Sequence, residues 1–259
     1  MYETKGNVAI ITLNRPDRLN ALTGQTMQEI GQALGQVAND DSVRVAIITG
    51  AGRAFCAGGD RKSAAKMFAE RGPRPKLQGY LGRSFEEAAK QFLALDKPVI
   101  AAVNGHAIGG GMDIALWCDL RIASEKAIFA EMYIARGLIP DLGGIFLLPR
   151  LIGHARACEV LLTGDKFDAQ TAKEMGIVNR VVPHEKLMDE AMALAKSICK
   201  NPPLGVKMTK RLLNMNRRNQ WPLENDYHYA IHGYLIDTED FLESDRAFIA
   251  KREPKFKGR

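Results

Sequence analysis

An α/β fold is what this sequence predicts: strands and helices alternate over residues 1–200, and helices alone occupy 201–259. Three observations carry that reading. Apolar runs of strand length recur at Val43–Thr49 and Val99–Val103, and amphipathic segments of helical period lie between such runs. Glycine-rich turns follow two of the strands, at Ala54–Asp60 and Asn104–Asp113. With 259 residues, 46% of them hydrophobic, the chain can bury one large core, or a core with an appendage.

Asn7–Leu13 alternates with β-branched residues and predicts the first strand, ended by a turn at Asn14–Asp17. Thr23 is placed as the N-cap of a helix through Val37, because Met27, Ile30, Leu34 and Val37 recur on one face. Asn39-Asp40-Asp41 breaks this helix, and Val43–Thr49 reads as a strand buried on both sides, ended by Gly50-Ala51-Gly52. Arg61–Arg83, rich in Lys, Arg, Gly and Pro, predicts a loose loop or lid, followed by a helix over Ser84–Leu95.

Beyond the second glycine turn, a helix begins near Ile114, and short strands are expected at Leu120–Ala123 and Ala127–Ala130. Ile139–Gly144 leads into a helix through Leu151. Short helices over Ala155–Leu162 and Ala169–Met175 flank a strand at Val178–Val182. From His184 the pattern is helical, broken at Asn201-Pro202-Pro203 and near Trp221-Pro222. A helical tail of this kind packs back on the core or on a neighbouring subunit.

Asn104–Asp113 is the most informative stretch. Glycine admits close approach of a ligand to the backbone, and a helix start presents unpaired N–H groups at the positive end of its dipole. Together they seat an anion, either a phosphate or an oxyanion formed during a reaction. No Lys-Ser/Thr follows the glycines and no G-x-G-x-x-G can be drawn, which favours the transient oxyanion. Close strand–helix packing explains the glycines as well.

Composition narrows the partners. The chain has no apolar run of membrane-spanning length and no basic or apolar leader, so a soluble, cytoplasmic protein that does not enter membranes is expected. Cys56, Cys118, Cys158 and Cys199 form no C-x-x-C pair and the five histidines show no ligand spacing, so neither disulfides nor a metal are expected. A net charge of +6 favours anionic partners, with nucleic acid and a phosphorylated cofactor both open on this evidence.

Asn14-Arg15-Pro16 with Asn20-Ala21-Leu22, Ala54–Asp60, Lys97–Ala101, Asn104–Gly111 and Cys118-Asp119 together resemble the enoyl-CoA hydratase/isomerase (crotonase) superfamily, in order and over nearly the whole chain. The resemblance implies a spiral of ββα units with a C-terminal helical region that builds trimers or pairs of trimers. It implies an acyl-CoA thioester substrate, with coenzyme A arriving as part of that substrate and no permanently bound cofactor. Nucleic acid then drops out as a partner, although the superfamily includes an RNA-binding member and that rival class stays in view.

By position in the motifs, the N–H groups of Gly59 and Gly110 would hold the thioester oxygen as it becomes an enolate. Arg18, Ala21, Ala57, Asp60 and Gly109 would line the substrate, although Asp60 also reads as a helix cap. His106 is expected behind the oxyanion turn. Lys251, Arg252, Lys255 and Lys257 read as a solvated basic tail able to reach the cofactor phosphates.

The hydratases of the superfamily use two glutamates, and this chain has Asp113 and Tyr133 in their places. Shortening Glu to Asp withdraws the carboxylate by one methylene, about 1.5 Å, and a tyrosine is a far weaker base. Asp113 with Asp141 instead resembles the dienoyl-CoA isomerases, with Glu131 standing for their intervening acid if its segment is extended. Dehalogenation is disfavoured because no histidine occurs in Arg61–Phe92, whereas hydrolysis, decarboxylation and C–C cleavage remain alternatives. On structural grounds alone, Asp113 in a helix's first turn is stabilised by the dipole, with a lowered pKa, and Asp141 before a helix reads as an N-cap. The expectation is isomerisation or hydration of an unusual enoyl-CoA, with Asp113 and Asp141 moving protons and Tyr133 and Glu131 as further candidates.

Overall fold

The computed structural model describes residues 1–60 and 82–259. Among them two sheets run side by side. The larger has the order β1 (Tyr2–Lys5), β2 (Val8–Leu13), β3 (Val45–Gly50), β5 (Val99–Val103), β7 (Leu120–Ser124) and β10 (Arg180–Val182), parallel except for the β1–β2 pair. The smaller holds β4 (Ala54–Cys56), β6 (His106–Ile108), β8 (Ile128–Ala130) and β9 (Phe167–Asp168). Each turn of chain lays one strand in the large sheet, the next in the small sheet, and then a helix. β3 and β4 precede α2 (Gly82–Ala94), and β5 and β6 precede α3 (Gly110–Trp117). β7 and β8 precede α4 (Gly144–Ile152). This is the expected ββα spiral.

Side-chain alternation explains why the large sheet is buried on both faces. Ala46, Ile48, Val99, Ala101 and Val103 enter the main core, with Met27, Ile30, Leu34 and Val37 of α1 (Gly24–Asn39). Val45, Ile47, Ile100 and Ala102 point the other way, onto Leu187, Ala191 and Ala195 of α7 (Leu187–Cys199). Thr23 caps α1 as expected, its side chain accepting from the Thr26 N–H at 3.2 Å. Among the described residues the remaining α-helices are α5 (His154–Thr163), α6 (Ala169–Met175), α8 (Pro203–Leu213), α9 (Met215–Ile236) and α10 (Glu239–Ile249).

Several expectations need correction. The two glycine turns each begin with a three-residue strand, β4 and β6, too short to show alternation. β1 and β9 also escaped the pattern, and β10 starts two residues later than expected. The expected loop at 61–83 falls outside the described residues as far as 81, while Gly82 and Arg83 already belong to α2. No break occurs at Trp221-Pro222, because α9 runs through it. Trp221, only 2% exposed, anchors this helix by meeting Trp117 and Phe146 edge-on at 5.0 and 5.3 Å. Among the described residues no helix is long and apolar enough to cross a membrane, and all four cysteines are free.

Candidate active site

The two glycine turns meet back to back. A Cβ on Gly111 would lie 2.7 Å from the Cys56 carbonyl carbon and closer still to its oxygen, and one on Gly58 would lie 2.7 Å from the Ile108 oxygen. Only glycine permits that approach. Leu22 donates to the Gly58 carbonyl at 2.7 Å and accepts from the Asp60 N–H at 2.9 Å. In a parallel bridge of this kind the residue between those two, Gly59, turns its own N–H to the opposite side. Gly110 is the first residue of α3, where an N–H has no intrahelical acceptor. Gly109 before it takes φ 52°, a left-handed value, and donates to the Ala130 carbonyl at 2.7 Å.

Gly59 and Gly110 open onto one cleft of about 640 Å³, with Ala57 and Gly109 beside them. The opposite wall comes from Tyr133 and Arg136, from Ser244, Ala247 and Phe248 on and around α10, and from Arg252. Of the basic tail, Arg252 reaches the cleft, and it also holds Glu243 at 2.6 and 3.0 Å. That bidentate contact is the leading cause pushing the half-buried Glu243 carboxyl down to about 2.

Behind Tyr133 lies a nest of buried acids. Its hydroxyl donates to Asp113 Oδ2 at 2.6 Å. Asp113, Glu131 and Asp141 are all buried, and none lines the cleft. A Cβ on Gly144 would stand 3.1 Å from both Asp113 Oδ1 and Glu131 Oε1, so the absence of a side chain there makes room for the two carboxyls. The segment carrying Asp141 is pinned by Trp117, whose Nε1 donates to the Leu142 carbonyl at 2.9 Å.

Burial governs the titration of this nest. It raises the Asp113 carboxyl to about 8, with the Asp141 charge adding to the rise, against the hydrogen bond from Tyr133 and the nearby Gly144 N–H. Burial likewise raises Glu131 well above the ordinary carboxylate range, with Asp113 adding to it. The Tyr133 hydroxyl is pushed up by burial and then by the surrounding carboxylates. The expectation that the helix dipole lowers Asp113 is overturned, since taking a carboxylate out of water outweighs a partial charge at a helix start.

Other expected roles change with the geometry. Asp141 is not the cap of α4. That position belongs to Gly143, and Asp141 Oδ2 instead stands 3.0 Å from His232 Nδ1. Glu131 and Tyr133 do not share one side of an extended segment. The chain turns at Met132, so Glu131 enters the core and Tyr133 faces the cleft. Asp60 is held by Arg15 Nη2 at 2.9 Å and, like Arg18 and Ala21, does not line this cleft. Arg18 sits on an exposed turn 3.6 Å from Asp17, and Ala21 is buried with its carbonyl accepting from Arg15 at 2.6 Å. His106 is exposed on β6 rather than packed behind the turn. Among the described residues no group of three or more His, Cys, Asp or Glu could hold a metal ion.

Sequence reasoning missed Arg136, Ser244, Phe248 and His232. They lie on or beside helices whose apolar pattern says nothing of which cleft or acid they meet.

Known proteins share this architecture. The model of the family described as enoyl-CoA hydratase/isomerase matches residues 3–259. The 1,2-epoxyphenylacetyl-CoA isomerase of Escherichia coli is 39% identical, over 97% of this chain and 95% of its own. The short-chain-enoyl-CoA hydratase of Clostridium acetobutylicum is 37% identical, over 98% and 95%. Among solved structures, a carnitinyl-CoA hydratase from Mycobacterium avium superposes with a TM-score of 0.87 at 35% identity, covering 100% of this chain and 98% of that one.

Proposed function

Because the chain belongs to the enoyl-CoA hydratase/isomerase family, we propose that it binds an acyl-CoA thioester, holds its enolate at the N–H groups of Gly59 and Gly110, and moves a double bond within the acyl chain. A preorganised oxyanion donor is worth about 3–4 kcal/mol in the transition state. The observation that carries isomerisation over hydration is the Tyr133–Asp113 pair. Hydration needs one group to activate water and a second to deliver a proton, both facing the substrate. Among the described residues Asp113, Glu131 and Asp141 stand behind the Tyr133 hydroxyl, 2.6 Å from Asp113, and no carboxyl of this nest faces the cleft beside Gly59 and Gly110, although Ser244 and Glu253 line the cleft elsewhere. One acid–base station can take a proton from the γ-carbon and return it to the α-carbon of a common dienolate. Asp113 is that station, Tyr133 relays to the cleft, and Asp141 is the second acid behind it. Glu131, fully buried and held well above the ordinary carboxylate range, is a further acid of the nest that does not reach the cleft.

Crotonyl-CoA is expected to bind at low salt and crotonate to bind far more weakly, and calorimetry with the pair tests the cofactor half of the reading. Equal affinities would contradict it. Incubation with 3-butenoyl-CoA should yield crotonyl-CoA without gain of water. A hydrated product as the main outcome would replace isomerase by hydratase.

The same reading places the protein in a trimer or a pair of trimers. Leu204, Met208 and Leu212 on one side of α8 are 69, 48 and 67% exposed, an apolar face that the described chain does not cover. Light scattering should give a mass several times 28.6 kDa, and a folded monomer that persists at nanomolar concentration would rule the assembly out.

A further inference from the structure

His232 is the group around the acid nest to which the reaction above gives no task. It is buried on α9, and its Nδ1 stands 3.0 Å from Asp141 Oδ2, within ion-pair distance of the carboxyl but without an aligned hydrogen bond to it. Among the described residues no other cationic or imidazole group forms an ion pair with Asp113, Glu131 or Asp141. The approach is costly to arrange. α9 packs on α2, and Trp221, earlier on the same helix, meets Trp117 of α3 and Phe146 of α4 edge-on. Trp117 also fixes the Asp141 segment through the Leu142 carbonyl. One aromatic cluster therefore sets both partners of the contact.

We propose that His232 is a positioning residue of the proton-transfer site: its imidazole fixes the Asp141 carboxyl beside Asp113 and Tyr133, so that the C-terminal helix α9 governs the acid–base chemistry without touching the substrate. Asp141 has the reach to do this. Its charge acts on both Asp113 and Tyr133, as the raised values of those two groups record. Losing the imidazole frees the Asp141 side chain to rotate away from them. This inference rests on the proposed proton transfer at Asp113.

The test follows deuterium entering the γ-carbon of crotonyl-CoA in heavy water, in the full-length protein and in three variants of His232. His232→Leu removes the polar edge and is expected to lower kcat for exchange ten- to a hundredfold, the scale of a displaced catalytic group, with KM unchanged. His232→Asn puts an amide nitrogen where Nδ1 stands and should restore most of the rate, a rescue that simple packing would not give. In an Asp141→Asn background, His232→Leu should cause no further loss, since a residue that acts through Asp141 has nothing left to act on. Should the leucine variant fail to fold, His232→Gln, whose amide lies toward the Nε2 end, takes its place in the same comparisons. Wild-type rates in the leucine variant, equal losses in the leucine and asparagine variants, or full additivity with Asp141→Asn would each overturn the role of His232. If the wild type does not exchange while still binding crotonyl-CoA, the proton-transfer reading itself fails and takes this one with it. If exchange is present, falls in Asp113→Asn and ignores His232, only the present inference fails.

Discussion

Asp113→Asn is expected to cut turnover about 100-fold or more, the scale of removing a general base, while making the protein harder to unfold at alkaline pH. The two effects have one cause. Burial raises the Asp113 carboxyl from its ordinary 3.8 to about 8. A carboxyl whose folded value is raised contributes stability that is complete below its unfolded value and is lost as pH climbs through the folded one. Wild-type stability should therefore decline between about pH 4 and pH 8, and the asparagine variant should lack that part of the decline. Melting temperatures of the two proteins should coincide near pH 4 and diverge at about pH 9, the variant melting higher. In the wild type, kcat/KM should rise with pH through about 8, where Asp113 becomes a base. A variant that keeps wild-type turnover would make Asp113 a structural acid.

The second large effect is on folding. Gly111→Ala drives a Cβ into the Cys56 carbonyl, which is backbone and cannot rotate aside. A loss of more than about 4 kcal/mol is expected, the exceptional end of single substitutions, and with it the juxtaposition of Gly59 and Gly110. Gly205→Ala is the control. That glycine lies inside α8 with nothing within 4 Å of the added Cβ, and there the change should stabilise by about 0.4–1 kcal/mol. Urea midpoints of the two variants make the comparison. A Gly111→Ala protein as stable as the wild type would mean that the turns are not locked together.

What the sequence disclosed depended on how local the cause was. The glycine turns were legible because the need for a missing Cβ is written at the residue itself, and the large-sheet strands because Val45–Ile48 and Val99–Val103 are apolar at every position. β4 and β6 were not legible, since three residues are too few for a period and their glycine neighbours read as turns. Helix α9 hid behind Pro222, where the packing of Trp221 overrides the local break. Asp113, Tyr133 and Asp141 could be named from the resemblance, but their order from the cleft inward could not. Which group meets the cleft and which acid is raised depends on burial by groups distant in the chain. His232, ninety-one positions beyond Asp141, left no signal at all.

The most direct measurement is mass spectrometry of crotonyl-CoA incubated with the wild-type protein in heavy water. A dienolate held at Gly59 and Gly110 and formed at Asp113 should place deuterium on the γ-carbon, with about 100-fold less in Asp113→Asn and none in free crotonate. Crotonyl-CoA that binds yet returns unlabelled, or that labels equally with both proteins, would contradict the account.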